Sequence, residues 1–234
     1  MKLLAFETAT EACSVALWVD GEVRERFDVA PRRHAELALP WAEDLLADAG
    51  LARSALDAVA VGRGPGAFTG VRLGISIAQG IALALDRPVV PVSTLAALAM
   101  HAAPAESGSR ILAAIDARMG EVYLGAFRAA GGGVESLGRE CVVVPAEAEL
   151  PDGDGWLGVG TGFAAQDAAL QARLAGRLGS VDAGALPHAS AVARLAVAAH
   201  ARGEAVAPER AEPAYLRDNV ALTLREQRQQ RERS

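Results

Sequence analysis

The feature that most constrains the fold is an order of predicted segments that occurs twice along the chain. In the first half, three strand-like runs come first, and the turn between the second and third is Asp20-Gly21, a dipeptide typical of a tight β-hairpin. A helix, a short strand and another helix follow, which gives the order β-β-β-α-β-α. The predicted segments are strands Lys2–Thr8, Ala12–Val19, Glu22–Val29, Asp57–Gly62 and Val89–Val92, and helices His34–Ala49, Val71–Leu85 and Ser93–His101.

The same order returns in weaker form after a linker-like stretch, Ala102–Ser109. A half-length duplication of this kind favours two similar α/β halves that face a cleft. We therefore place a first lobe at residues 1–103, a second at 110–215 and a polar tail at 216–234. The second set comprises strands Ile111–Asp116, Glu121–Arg128, Val134–Val144 and Trp156–Gly160, and helices Phe163–Leu174 and Ser190–Arg202.

Charge and cysteine content narrow the class of protein. The formal net charge of -6 argues against unaided binding of nucleic acid, which needs clustered cations to neutralise phosphates. The first residues run into Glu7 without the apolar core of a signal peptide, and we expect no membrane span. Two cysteines are too few for a disulfide framework, so we expect a cytoplasmic protein.

A glycine-rich segment, Gly62–Gly70, joins a predicted strand to the start of a predicted helix. Outward N–H groups and the helix dipole can bind an anion in such a turn, and Gly64, Gly66, Thr69 and Gly70 are the candidate residues. The segment lacks the Lys-Ser/Thr pair of a Walker loop and does not match the dinucleotide fingerprint. The alternative is a tight turn that lets the next helix pack closely, and spacing leaves both interpretations open.

The predicted helix Val71–Leu85 carries almost no charge, since Arg72 is its only ionised residue. A helix on a sheet normally shows a polar outer side, so something is expected to cover this one. The alternatives are a helix sandwiched within its own lobe and a subunit interface shared with His34–Ala49, and we favour the interface. Small residues form two stripes, Gly74/Ala78/Ala82 and Ser76/Gly80/Ala84, that permit close helix approach. The expected interface residues are Leu37, Trp41, Leu45, Arg72, Gly74, Ile75, Ala78 and Ala82.

Two carboxylates occupy equivalent places in the two halves. Glu7 and Asp116 each end a first strand, so a duplicated fold would set them across the cleft, where a metal–phosphate could sit. Phosphate loops need glycine close behind the acid, but Ala9 and Arg118 stand there. None of His34, His101, His188 and His200 is spaced for a metal site, and no nucleophile elbow is present. The sequence therefore predicts no catalytic residue, no metal site and no cofactor.

Four ordered motifs carry a family resemblance over nearly the whole chain. Leu4–Leu17, Gly64–Gly74, Asp116–Tyr123 and Tyr215–Asp218 resemble successive motifs of the TsaB (YeaZ) family. Two departures are Glu7, where the family usually has Asp, and the long polar tail. The resemblance implies the actin/sugar-kinase-like (ASKHA) fold, with a mixed sheet flanked by helices in each lobe.

The resemblance also implies a role and partners. Family members act in placing N6-threonylcarbamoyladenosine at adenosine 37 of tRNAs that read ANN codons. Catalysis belongs to the paralogue TsaD, which carries a His-x-x-x-His pair that this chain lacks. The expected partners are a TsaD-like paralogue, bound through helices of the first lobe, a TsaE-like ATPase in a larger complex, a second copy of the chain in a homodimer, and tRNA indirectly.

Two enzymatic alternatives stay open from the residues. One is a small-molecule kinase of the same fold that uses Glu7 and Asp116 with Mg-ATP. The other is a metallopeptidase of the glycoprotease type, the older label for such proteins. The histidine spacing gives the second no support.

Overall fold

Two β-sheets with the same strand order form the framework of the protein. The computed structural model describes residues 1–102 and 106–217, so part of the predicted linker and all but two residues of the predicted tail lie outside it. The first half contains strands β1 Lys2–Glu7, β2 Ala12–Val19, β3 Glu22–Val29, β4 Ala58–Gly62 and β5 Val89–Val92, and helices α1 His34–Asp48, α2 Phe68–Leu85 and α3 Thr94–Ala99. The second half contains strands β6 Arg110–Arg118, β7 Glu121–Ala130, β8 Gly133–Ser136, β9 Cys141–Val143, β10 Trp156–Val159 and β11 Leu178–Asp182, and helices α4 Ala165–Leu174 and α5 Ala189–Ala201.

The sheet orders are β3-β2-β1-β4-β5 and β8-β7-β6-β10-β11, which are the same order in the two halves. In each sheet the first three strands pair antiparallel and the last two add in parallel. The predicted duplication and the actin/sugar-kinase-like fold are therefore confirmed. Asp20-Gly21 makes the expected two-residue turn, with Val19 paired to Glu22.

Two predicted segments differ from the structure, and one observed strand was not predicted. The predicted strand Val134–Val144 is divided into β8 and β9, which pair with successive parts of the same edge of β7. Helix α2 begins at Phe68 rather than Val71, because its first turn contains Gly70 and hides the helical pattern. The edge strand β11, which has the sequence LGSVD and few β-forming residues, was not predicted.

Both faces of the first sheet are covered. Leu4 and Phe6 of β1 point toward α1 and α2, whereas Leu3 and Ala5 point toward α5. Helix α5 thus belongs to the second half in sequence but packs on the first sheet. Its alanines lie against small residues such as Ala58, so helix and sheet approach closely.

A buried polar cluster fixes the start of α5. The Glu25 carboxylate accepts hydrogen bonds from Ser14 Oγ at 2.7 Å and from Ser190 N at 2.9 Å, and His188 Nδ1 lies 3.1 Å away. Partial burial raises the pKa of Glu25, but these hydrogen bonds, led by that from His188, outweigh burial and hold the pKa below its ordinary value. Strand β3 therefore supplies the capping group that the α5 sequence lacks.

Helix α2 is unusually apolar for its position. Its 18 residues have a mean hydropathy of 1.5, enough by length and composition to cross a membrane, and 33% of it is buried within the chain. The buried side packs on the first sheet as a core helix does, through residues such as Val71, Ile75 and Ala78. Ile77, Ile81 and Leu85 are half-buried against the same core, whereas Leu83 is 62% exposed in the isolated chain.

Candidate functional site: the cleft and the outer face of helix α2

Glu7 is buried beside the start of the glycine-rich segment. It ends β1 and is 1% exposed. Its Oε1 accepts from the backbone N–H of Ala9 at 2.8 Å, and its Oε2 accepts from the hydroxyl of Thr94 at 3.0 Å. A Cβ added at Gly62 would lie 2.0 Å from Oε2, so the glycine is what makes room for the carboxyl group.

The environment of Glu7 favours the protonated acid. Burial raises its pKa from 4.5 to about 7, although the hydrogen bonds from Ala9 and Thr94 act in the opposite direction. Both carboxyl oxygens already have partners within the chain. A metal ion would have to displace those partners, so Glu7 is poorly placed as a cation ligand.

Asp116 is likewise engaged by its own loop. Its Oδ1 accepts from the backbone N–H of Arg118 at 2.8 Å, and its Oδ2 accepts from the Arg118 guanidinium, also at 2.8 Å. The turn that follows is left-handed at Arg118, Met119 and Gly120. Arg118 occupies the position where a phosphate loop needs glycine, and its side chain neutralises the Asp116 carboxylate.

The glycine-rich segment packs tightly on the β1–β2 turn. The N–H of Ala67 donates to the carbonyl of Ala9 at 2.7 Å. A Cβ at Gly66 would lie 2.3 Å from that carbonyl oxygen, and one at Gly70 would lie 2.1 Å from the carbonyl oxygen of Thr8. These close approaches require glycine at both positions and account for them without a ligand.

The other anion-site candidates show no convergence on a ligand position. The N–H of Gly64 donates to Thr94 Oγ1 at 3.2 Å, and Thr69 is exposed at the start of α2. The carbonyl oxygens of Thr8 and Ala9 face the segment and would repel an anion there. The anion site stays a prediction. The alternative, a tight turn that lets α2 pack closely, is supported by the contacts of this segment with Thr8 and Ala9.

The histidines occupy separate structural positions. His34 is buried, with Nε2 3.0 Å from the carbonyl oxygen of Thr10. His101 lies 3.2 Å from Asp182, and His188 stacks on Phe27. Over residues 1–102 and 106–217, no group of three or more His, Cys, Asp or Glu side chains is arranged to hold a metal ion.

Most of the residues expected at an interface lie instead in the core of the first lobe, which corrects that part of the interpretation. A Cβ at Gly74 would lie 2.6 Å from Thr8 Oγ1, so this stripe of α2 faces the sheet. Leu37 and Trp41 are half-buried beside the core, and Arg72 lies 3.3 Å above the ring of Phe68. The buried members of the expected set are Leu45, Gly74, Ile75, Ala78 and Ala82.

The other small-residue stripe of α2 forms the open surface. Ser76, Gly80 and Ala84 are exposed, and a Cβ added at Gly80 would meet nothing within 4 Å. Leu83, on the same helix, is 62% exposed. We call these four residues, with the half-buried Leu73 and Ile77, the outer face of α2. The sequence shows both stripes but not which one the sheet covers.

A C-terminal segment, residues 211–217, ties the two halves together, a role that sequence reasoning did not predict. Gln79 on α2 donates to the carbonyl of Ala211 at 3.2 Å, and Arg72 donates to the Tyr215 hydroxyl at 2.9 Å. Arg217 then forms an ion pair with Glu121 at the start of β7. Part of the signal was present, since Tyr215–Arg217 belongs to the fourth family motif; Asp218, its last residue, lies outside the described residues.

Comparison with known proteins identifies the family. A family model described as TsaD, tRNA N6-adenosine threonylcarbamoyltransferase, matches residues 28–224. The tRNA threonylcarbamoyladenosine biosynthesis protein TsaB of Escherichia coli strain K12 is 44% identical over 227 residues, which cover 94% of this chain and 96% of that protein. The chain belongs to the TsaB family. The TsaB protein of Haemophilus influenzae is 39% identical and is covered over 95% of its length.

Solved structures of the TsaB (YeaZ) family have the same fold. YeaZ from Pseudomonas aeruginosa superposes with a TM-score of 0.85 at 48% identity, covering 92% of this chain and 99% of that one. A second crystal structure from the same organism, of a protein described as similar to the peptidase YeaZ, gives a TM-score of 0.86 at 47% identity over the same shares of the two chains. The resemblance carried by the four motifs is therefore confirmed at the level of family and fold.

Proposed function

We propose that this TsaB-family chain is a non-catalytic subunit that binds a TsaD-type transferase and so supports threonylcarbamoylation of adenosine 37 in tRNAs that read ANN codons. The observation that carries the proposal is the outer face of α2. This 18-residue helix has a mean hydropathy of 1.5, yet only 33% of it is buried within the chain. Uncovered apolar surface of this kind marks a site of protein association.

The geometry of the outer face suits a helix of a partner. Gly80 and Ala84, with Ser76 one turn earlier, leave room for close backbone approach, and Leu83 offers an apolar side chain to bury. The half-buried Leu37 and Trp41 of α1 extend the apolar surface. The first lobe is thus the proposed dimerisation platform, with α1 and α2 as its contact elements.

The state of the cleft supports a non-catalytic role. Glu7 is hydrogen-bonded to Ala9 and Thr94, and Asp116 is paired with Arg118, so neither carboxylate is available to a metal–nucleotide without rearrangement. A kinase of this fold would need both acids open to the cleft. The metallopeptidase alternative would need converging metal ligands, and the described residues do not provide such a group.

The other partners follow from the family and are part of the same proposal. A TsaE-like ATPase would join the complex of this chain with TsaD, and in the absence of TsaD the outer face of α2 would pair with a second copy. A net charge of -6 favours indirect contact with tRNA, in which the partner supplies the cations. We propose that the complex acts in the cytoplasm.

Replacing Gly80 by arginine tests the interface. No atom lies within 4 Å of the new Cβ, and arginine is a better helix former than glycine, so the fold should be retained. A long cation at the centre of the outer face should weaken binding to purified TsaD at least about tenfold. Gly176→Arg, at another open glycine in the second lobe, is the matched control.

Two readouts keep the parts of the proposal separate. Affinity for TsaD, measured by calorimetry, tests the surface: equal affinities for Gly80→Arg and Gly176→Arg would show that the interface lies elsewhere. Reconstitution with TsaD, TsaE, tRNA and threonylcarbamoyl-adenylate tests the role. The modification should require this chain and should survive Glu7→Gln, whereas its loss in Glu7→Gln with TsaD binding intact would favour an enzymatic cleft.

A further inference from the structure

A cavity of about 860 Å³ lies between the two halves, away from the outer face of α2. On one side the end of β5 contributes Val92, and Ser93 contributes from the N-cap of α3. On the other side strands β7 and β8 contribute Phe127 and Val134. Helix α5 completes the lining. The volume of the cavity is within the range of small-molecule sites, which commonly form between lobes or domains.

The lining combines an apolar part with cations. Met100, Val134 and Leu195 line the cavity and are half-buried, so part of their apolar surface is available to a ligand. Arg63 and Arg194 line the same space. This division into an apolar wall and a few charged groups is typical of sites that bind and orient a small molecule.

The charges of the lining are unevenly paired. Arg202 forms an ion pair with Glu204, and Glu140 accepts a hydrogen bond from Ser93. By contrast, within the described part of the chain the guanidinium groups of Arg63, Arg139 and Arg194 have no carboxylate within ion-pair distance. The lining carboxylates Glu135 and Glu140 likewise have no cation within that distance there, so three such cations face two such anions and the lining keeps an excess of positive charge.

Arg194 is exposed on α5, where its neighbour is an aromatic ring rather than a counter-ion. Its guanidinium carbon lies 5.8 Å from the ring centroid of Trp18, and it projects from α5, whose start is fixed by Glu25. A cation beside apolar surface attracts an anion more strongly than a cation fully surrounded by water, because less solvent screens its charge. We infer that the cavity binds a small anion with an apolar body, with its carboxylate, sulfonate or phosphate at the arginines. The inference does not depend on the proposed function.

Two fluorescent probes of matched size test the inference on the full chain. 8-Anilinonaphthalene-1-sulfonate is an apolar anion, and N-phenyl-1-naphthylamine is its neutral counterpart. Arg194→Glu should weaken the anionic probe at least about fivefold and the neutral probe less than about twofold, because only the former has a charge to place. Arg32→Glu, an exposed arginine outside the lining, should change neither. Equal responses of the two probes to Arg194→Glu would overturn the inference.

Filling the cavity locates the probe. Ala198 is exposed on α5 and lines the cavity, so Ala198→Trp should occupy the space and remove binding of both probes without burying a clash. Ala84→Trp, on the outer face of α2, is the control and should leave binding unchanged. If Ala84→Trp removes binding and Ala198→Trp does not, the probes bind the outer face and the inference is wrong. Thermal unfolding of each variant verifies that it is folded.

Discussion

Glu7→Gln is expected to flatten the dependence of the protein's stability on pH. In the native state burial raises the pKa of Glu7 to about 7, from 4.5 in the unfolded chain. A carboxyl whose pKa is raised on folding contributes its full stability below the unfolded pKa, and that contribution is lost as the pH rises through the folded pKa. Glutamine cannot ionise, so the variant should not show this loss.

The magnitude follows from the difference between the two pKa values. A difference from 4.5 to about 7 corresponds to a total loss of about 3 kcal/mol in the free energy of unfolding. About 1.5 kcal/mol of that falls between pH 6 and pH 8.5. The amide can still accept from Ala9 N through its oxygen, but it replaces an acceptor for Thr94 with a donor, which costs about 1 kcal/mol at every pH. The growth of the difference with pH is therefore the quantity to measure.

Urea unfolding at pH 6 to 8.5, followed by tryptophan fluorescence, measures that quantity. The range stays above the isoelectric point of about 5.3, where association would interfere. The stability of Glu7→Gln relative to the native chain should rise by about 1.5 kcal/mol across the range. Glu11→Gln, at an exposed carboxyl on the next turn, should run parallel to the native chain. Parallel curves for Glu7→Gln as well would refute the argument that Glu7 is protonated near neutral pH.

Four further substitutions test the packing. Gly74→Ala should destabilise the protein by about 1–3 kcal/mol, because the added methyl group meets Thr8 Oγ1 at 2.6 Å. Gly80→Ala should instead stabilise it by about 0.5–1 kcal/mol, because no atom lies near the added methyl group. Equal effects of the two substitutions in urea unfolding would contradict the orientation of α2. Glu25→Gln should lower the free energy of unfolding by about 1–2 kcal/mol at neutral pH, and by progressively less as acid protonates Glu25 in the native chain. The reason is that a carboxyl whose pKa is lowered on folding gives stability that is lost as the pH falls through that pKa. A constant difference down to low pH would count against the cluster with His188. Ala168→Gly should raise the melting temperature by roughly 2–4 °C, because Ala168 has a left-handed φ of 61°, and a lower melting temperature would contradict that conformation.

Much of the fold could be predicted because local signals agreed with it. The apolar run of β1 and the Asp20-Gly21 turn define the first three strands, and the observed bounds of β2 and β3 match the predicted ones. The prediction for the second half was less accurate, because the edge of its sheet is irregular. Between β8 and β9 the chain leaves the edge of β7, and Glu140 turns away to bond Ser93. A hydrophobic pattern cannot show such an interruption.

The candidate site was predicted in kind but not in orientation. The sequence showed that α2 lacks a polar face, and it offered two equivalent stripes of small residues. The choice between them depends on Thr8, whose hydroxyl occupies the space above Gly74 and also donates to the carbonyl of Gly70 at 2.8 Å. That contact joins residues 62 positions apart in the chain, so no local pattern contains it.

The cleft and the outer face of α2 are linked through the same few residues. In a phosphate loop, glycines leave space for the phosphate. Here Gly66 and Gly70 instead let the start of α2 pack directly on Thr8 and Ala9, which fills that space. The same approach seats Gly74 on the sheet and leaves Gly80 outward. Close packing of the cleft therefore determines which side of an apolar helix remains open.

If the protein acts by binding TsaD, a substitution that loosens this packing, such as Gly70→Ala, should weaken TsaD binding although Gly70 lies outside the outer face, and calorimetry with the Gly176→Ala variant as control would measure that coupling. Unchanged affinity in a folded Gly70→Ala variant would show that the outer face does not depend on the cleft.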